Sequence, residues 1–304
     1  MTRPEFDRGP DGFGQSQANS PFALRQKTFD GAAMPLTVRF LIAAVLVCLV
    51  GRLQASEPST RLHMIGDSTM ADKPVWPAQP ERGWGQLLPI YFKDPAAVVN
   101  YAMNGRSTKS FIDEGRWETV RKALRPGDWL IVEFGHNDEK KEKPAVYAAA
   151  DTTFRENLRR FIREARDARA NPILATPIAR RKFDAAGKPV DTHGDYPAAV
   201  RAVAVEEKVP LLELTTLSAE MLAGYGPERS KQLYLWIQSG EYASLPKGRE
   251  DDTHLSAVGA SRIAELAIGE FQRLGLPLAD WVKSKPSAAA TKTEKPAPTP
   301  AGSP

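Results

Sequence analysis

The chain has one cysteine, Cys48, among 304 residues. A single thiol closes no internal disulfide, so the fold must rest on core packing rather than a covalent framework. Long apolar runs are also missing. The longest, 40–50, is about a dozen residues, against the roughly 20 that a spanning helix needs. Neither sign of charge dominates: 41 Lys and Arg face 37 Asp and Glu, a formal net charge of +4. Basic residues nowhere interleave with aromatics as a nucleic-acid surface requires, so no nucleic-acid partner is expected. Arg159, Arg160, Arg163 and Arg166 fall at helical spacing and read as a solvated helix face. The mild positive balance suits acidic polymers. There are four histidines, and no internal repeat.

The two ends differ from the middle. Arg39, the apolar run 40–50 and the small-residue site Leu53-Gln54-Ala55 read together as a secretory signal over 34–55. Cys48 lies inside it, and Val47 is bulky where lipoprotein processing wants a small residue. A secreted or periplasmic protein with no stable membrane anchor is expected, its mature chain free of cysteine. Residues 1–33 are polar and aperiodic, which makes Met34 the expected translation start. From Lys283 the chain is Lys, Ala, Pro, Thr and Ser, a composition that cannot offset ordering entropy, so 283–304 is expected to be disordered. One domain remains, 56–282, with its folded part at 58–281 and expected to act as a monomer.

Within that domain, short apolar runs alternate with helical patterns. Runs at 61–65, 97–102, 129–134, 173–176 and 210–214 are rich in large or β-branched residues without strict alternation, as in strands buried on both faces. Phe154, Leu158, Phe161, Ile162 and Ala165 recur at helical spacing, and Asn171-Pro172 is expected to end that helix. Ser256 is placed to cap a last helix with Ile263, Leu266, Ala267 and Phe271 on one face, closed by Gly275. This order predicts an α/β protein, a three-layer α/β/α domain with a parallel sheet. Working loops in such sheets lie beyond the carboxyl ends of the strands.

Residues able to do chemistry fall in those places. Ser68, in Gly66-Asp67-Ser68-Thr69, follows the first strand and is expected at a helix N-terminus. A serine hydroxyl becomes a nucleophile only with a base to take its proton and donors for the oxyanion. Met70 stands where the G-x-S-x-G elbow has its second glycine, so this is a different turn. Alone, the tripeptide also reads as a capped turn. His254 follows Asp251 by three residues on an expected turn, a spacing that lets the carboxylate orient Nδ1 and leave Nε2 outward. Asp252 is the alternative partner; Asp251 is favoured. Gly105 can bring its N–H close to a substrate oxygen, and Asn137 can aim an amide at the same atom, although a turn glycine and a loop-capping amide look alike.

The blocks Gly66-Asp67-Ser68, Gly105, Gly135-His136-Asn137-Asp138 and Asp251-Asp252-Thr253-His254 resemble those of the SGNH (GDSL-type) hydrolases, over 61–274. Thr69 and Asn104-Gly105-Arg106-Ser107 are similar to the rhamnogalacturonan acetylesterase branch. The resemblance implies a flavodoxin-like SGNH fold with a parallel five-stranded sheet and no metal or other cofactor. It also implies release of acetyl groups from pectic polysaccharide. By it, Ser68 is the nucleophile, His254 the base and Asp251 its orienter, with Ser68 N–H, Gly105 N–H and Asn137 as the oxyanion hole.

Trp84, Arg106, His193 and Trp236 are the candidate substrate contacts. Either tryptophan could instead be core. His193 lies between Asp191 and Asp195, but no second cluster offers further metal ligands, so a loop-ordering or substrate role is expected. His63 is expected to pack within the first strand, and His136 to bond the loop that carries Asn137. The expected activity is acetyl-ester hydrolysis on an acetylated polysaccharide, most simply rhamnogalacturonan. Acetylated xylan or another glycan, a lipid or a thioester are the alternative substrates. Arg82, Arg106, Lys109, Arg180 and Arg181, flanking the motifs, do not make the apolar entrance of a lipase. A non-catalytic polysaccharide-binding module is the alternative of another class.

Overall fold

Five apolar runs build the centre of the molecule. The computed structural model describes residues 60–284 except residue 77. In it the runs form strands β1 (Leu62–Gly66), β2 (Val98–Asn100), β3 (Trp129–Glu133), β4 (Asn171–Ala175) and β5 (Leu211–Leu212). The expected leader 1–33, the signal 34–55 and residues 285–304 of the expected tail lie outside the described residues. Neighbouring strands all run parallel, in the order β2-β1-β3-β4-β5. This is the flavodoxin-like doubly wound order, whose crevice opens where β1 meets β3.

Successive side chains of a strand point to opposite faces, so unbroken apolar runs commit the sheet to two cores. Leu62, Met64, Ile131, Ile173 and Ala175 enter one, and Ile65, Leu130, Val132 and Leu174 the other. The first core is closed by Trp84 on α1 (Trp84–Leu87), Leu222 on α6 (Leu214–Arg229, broken at Gly226) and Ile263 and Phe271 on α7 (Ala257–Arg273). The second is closed by Phe111 on α2 (Thr108–Asp113), Trp117 on α3 (Arg116–Ala123), Phe161 on α4 (Thr153–Asp167) and Val200 on α5 (Asp195–Glu207). Sheet and helices thus make the three layers.

The expected stripe of α4 is buried, and Ser256 caps α7 by accepting from Gly259 N–H at 3.1 Å. Gly275 follows α7 with φ 61°. Three details differ from expectation. α4 stops at Asp167, because Arg169 turns to φ 59°, and Asn171-Pro172 opens β4 rather than ending the helix. Pro172 is tolerated because β5 pairs only with Leu174 and Ala175, so β4 has no ladder partner on that side at the proline. β5 is two residues long, Glu213 already serving as N-cap of α6. An antiparallel ribbon was not expected at all: β6 (Tyr234–Ile237) pairs with β7 (Arg249–Leu255).

Phe161 lies 4.9 Å from the Trp117 ring and 6.0 Å from that of Phe134. Phe161→Ala is expected to cost about 3–5 kcal/mol of stability. Denaturant unfolding checks this, and a loss below about 1 kcal/mol would contradict the packing described.

Candidate active site

β1 ends so close to β3 that a Cβ on Gly66 would lie 2.8 Å from Glu133 O. The next carboxylate, Asp67, ties a turn: Oδ1 accepts from Thr69 N–H at 2.9 Å and from Thr69 Oγ1 at 3.0 Å, and its carbonyl accepts from Ala71 N–H at 3.0 Å. Ser68 sits on this turn. No helix follows directly, contrary to expectation; Lys73-Pro74 continues an irregular segment and α1 begins at Trp84, since a proline ring blocks helical continuation.

His254 arrives on β7. Tyr234 pairs with Leu255 but Leu235 with Asp251, so Asp252, Thr253 and His254 loop out of the ladder as a bulge. The expected turn therefore exists inside a strand. Asp251 Oδ1 shapes it, accepting from Thr253 N–H at 2.8 Å and His254 N–H at 2.9 Å. Its other oxygen, Oδ2, lies 2.8 Å from His254 Nδ1, and Arg249 Nη2 donates to the same oxygen at 2.5 Å. His254 Nε2 then reaches Ser68 Oγ at 3.0 Å. Burial alone would raise the Asp251 carboxyl, but the His254 and Thr253 donors hold it well below the usual carboxylate range. The group facing Nδ1 is thus a carboxylate, and it fixes the tautomer that leaves Nε2 as proton acceptor.

Gly105 (φ 74°) follows β2 in a conformation that favours glycine. Asn137 Nδ2 donates to Arg106 O at 2.9 Å, so the loops after β2 and β3 are joined at the site. Asp138 Oδ1 strengthens the joint, accepting from Thr108 N–H at 2.9 Å and Thr108 Oγ1 at 2.5 Å. Among the described residues the N–H groups of Ser68 and Gly105 have no acceptor, as an oxyanion hole requires of its donors before substrate arrives. The model of the GDSL-like lipase/acylhydrolase family matches residues 64–262.

The chain belongs to that family. It is a carboxylic ester hydrolase. The rhamnogalacturonan acetylesterase RhgT of Bacillus subtilis is 39% identical over 225 residues, covering 74% of this chain and 95% of the relative. The probable rhamnogalacturonan acetylesterase YesY of the same organism is 33% identical, over 74% and 98%. The solved structure of Bacillus subtilis YxiM matches with a TM-score of 0.62 at 30% identity; it covers 72% of this chain but only 57% of that longer one. An acetylxylan esterase of Geobacillus stearothermophilus matches in fold, with a TM-score of 0.50 at 20% identity over 74% and 97%.

Of the expected substrate contacts in this GDSL-like hydrolase, two are closed off. Trp84 is 0% exposed, with Nε1 donating to Glu133 Oε2 at 2.9 Å, so it is core. His193 is buried with Nδ1 2.9 Å from Glu139 Oε2 and Nε2 2.9 Å from Ile178 O; it orders its loop. Trp236 donates to Asp252 Oδ1 at 2.8 Å, and Arg181 and Lys231 lie 4.7 and 4.6 Å from its ring, so it braces Asp252 rather than offering a free face. Asp252, engaged there and by Arg181 at 2.9 Å, does not face His254. Arg106 is half-buried, bonded to Glu114 at 3.0 Å and to Asn104 O at 2.8 Å. His63 packs on Tyr101 and meets Asp128. His136 does not bond the Asn137 loop; Nδ1 faces Asp67 Oδ2 at 3.4 Å and its ring packs on His193. Arg249, which donates to Asp251, and Glu133, which accepts from the distant Trp84, carried no signal in the sequence.

Behind the serine turn lies a buried acidic cluster. His136 and the Thr69 donors outweigh burial and hold Asp67 at about 2. Burial holds His136 neutral, lowered to about 4. Burial, reinforced by the Asp67 charge, pushes Glu133 from the ordinary 4.5 up to about 8. Burial likewise lifts Asp138 from 3.8 to about 8 against its Thr108 bonds. At neutral pH only one of the three carboxyls carries charge. Glu133 holds its proton more tightly when folded, so its contribution is full below pH 4.5 and is lost as the pH rises towards about 8. Glu133→Gln is expected to flatten the fall in Tm across that window, read by thermal unfolding at a series of pH values. An unchanged slope would refute a neutral Glu133.

Proposed function

We propose that this chain removes O-acetyl groups from a plant cell-wall polysaccharide, acetylated rhamnogalacturonan, through an acetyl-serine intermediate. The observation that carries the reading is the continuous relay Asp251–His254–Ser68 beside the Gly105 and Asn137 donors, in a chain 39% identical to a rhamnogalacturonan acetylesterase. Ser68 Oγ attacks the acetyl carbonyl while His254 Nε2 takes its proton, and Asp251 stabilises the imidazolium. The oxyanion is held by Ser68 N–H, Gly105 N–H and Asn137 Nδ2. On collapse, His254 returns the proton to the departing sugar oxygen. Water, deprotonated by the same nitrogen, then attacks the acetyl-serine carbonyl and releases acetate.

The surroundings support a polymeric, acidic substrate. Lys182, beside Arg180 and Arg181 in their pairs with Glu139 and Asp252, lines an open depression of about 510 Å³ next to Asp251. A larger cavity of about 700 Å³, bounded by Lys141, Tyr147 and Tyr196, does not include the relay. The segment after the serine turn carries Trp76, 84% exposed, and Val75, 67% exposed. It is tied at one side by Lys73 to Asn104, beside Gly105, and at the other by Ala78 O, which accepts from Ser244 on the β6–β7 connection at 2.8 Å. It therefore bridges the two halves of the site, where an indole face would meet a sugar ring. The signal-like segment 34–55 supports export to the periplasm or medium.

Purified residues 56–304 are expected to release acetate from acetylated rhamnogalacturonan, and Ser68→Ala to abolish release. Trp76→Ala is expected to raise KM for the polymer several-fold, with p-nitrophenyl acetate hydrolysis unchanged. Release only from acetylated xylan would replace the substrate; Ser68-independent release would end the reading. Export is checked separately by N-terminal sequencing of the protein from its own host, with a mature start at Ser56 expected and a retained segment 34–55 contradicting it.

A further inference from the structure

Asn137 is held from both ends of its amide. Nδ2 donates to Arg106 O at 2.9 Å, and Oδ1 accepts from Lys140 Nζ at 2.7 Å. A backbone carbonyl only accepts and an ammonium only donates, so these two partners together determine which end of the amide is nitrogen. The turn after β3 makes the contact possible, because Lys140 N–H donates to Asn137 O at 3.1 Å and folds the lysine back over the amide.

The position of Lys140 is otherwise hard to account for. It is half-buried, and among the described residues it makes no ion pair. Glu139, next to it, instead engages Arg180 and His193. Lys143 and Arg180 add like charge nearby, while Asp67 and Glu139 oppose them, and burial with those like charges lowers its affinity for the proton. A cation held in such a place against a neutral amide does little for stability. We infer that Lys140 is a positioning residue for the oxyanion hole: its ammonium keeps the Asn137 amide with nitrogen towards the reacting carbonyl and polarises it as a donor.

The physics has two parts. Without Lys140 only the bond to Arg106 O holds the amide, and its orientation loosens against the developing oxyanion. With Lys140, the charge-assisted bond to Oδ1 draws electron density from the amide and strengthens Nδ2–H as a donor, in a site partly shielded from water. Lys140 touches no reacting atom and acts only through Asn137.

This inference rests on the proposed role of Asn137, and the test separates the two. The probe is p-nitrophenyl acetate with the full domain. Lys140→Met is expected to lower kcat roughly 10- to 100-fold, less than the loss of a whole donor, with KM within about twofold. Lys140→Arg should recover most of kcat, and Lys140→Gln, which keeps a donor without the charge, should fall between. In an Asn137→Ala background Lys140→Met should change kcat by less than about twofold, as for two residues acting as one unit. An unchanged kcat in Lys140→Met, an equal loss in the Asn137→Ala background, or a rise in KM alone would overturn the inference. The site reading itself fails only if Ser68→Ala and Asn137→Ala leave hydrolysis intact.

Discussion

The site depends on β1 lying between β2 and β3. That order brings the chain after three strands to one crevice: the serine turn from β1, the Gly105 turn from β2 and the Asn137 loop from β3. It is possible because β1 and β3 bury both faces, which leaves their carboxyl ends as the places where backbone groups escape the ladder. The close approach of Gly66 to Glu133 shows how tight the junction is, and the buried carboxyls around it are a consequence. Polar residues that close a strand end in a dry layer must either share donors or remain neutral. Asp67, with His136 and the Thr69 donors beside it, keeps its charge; burial outweighs the donors of Glu133 and Asp138 and favours their neutral forms.

The fourth contribution comes from outside this sheet. The β6–β7 ribbon supplies Asp251 and His254, and one carboxylate does two jobs there. Oδ1 folds the bulge by accepting backbone N–H groups, and Oδ2 orients the imidazole that the bulge carries. The shape of the bulge and the orientation of His254 are thus set by the same side chain, so Asp251 acts on His254 through the backbone as well.

Features that were legible in the sequence are local ones. Strands buried on both faces announce themselves as unbroken apolar runs, and α4 by five residues at helical spacing. Ser68, Gly105, Asn137 and His254 each stand in a short motif whose meaning lies in neighbours a few residues away. What was hidden depends on distant partners. Arg249–Leu255 is polar nearly throughout and carries no strand signal; it becomes a strand only because Tyr234–Ile237 lies alongside. Trp84, between two glycines, looks like a surface indole until Glu133, 49 residues away, is seen to accept its N–H. His193 looks available until Glu139 and Ile178 O occupy both nitrogens. Trp76, on a segment without periodicity, had no signal at all.

A ribbon of two strands is marginal by itself and borrows order from what it touches. This one is pinned by Arg181 N–H to Asp252 O at 2.8 Å, Tyr234 OH to Ala179 O at 2.6 Å and Arg82 N–H to Leu255 O at 3.0 Å. Ser68 belongs to the turn that closes β1, while His254 rides on this ribbon, 186 residues further along the chain. Inactivation and unfolding are therefore separable events for this enzyme. A local opening of the β7 bulge alone would part His254 from Ser68 while Tyr234 and Leu255 keep the ribbon anchored in the first core, so activity would be lost before the fold is.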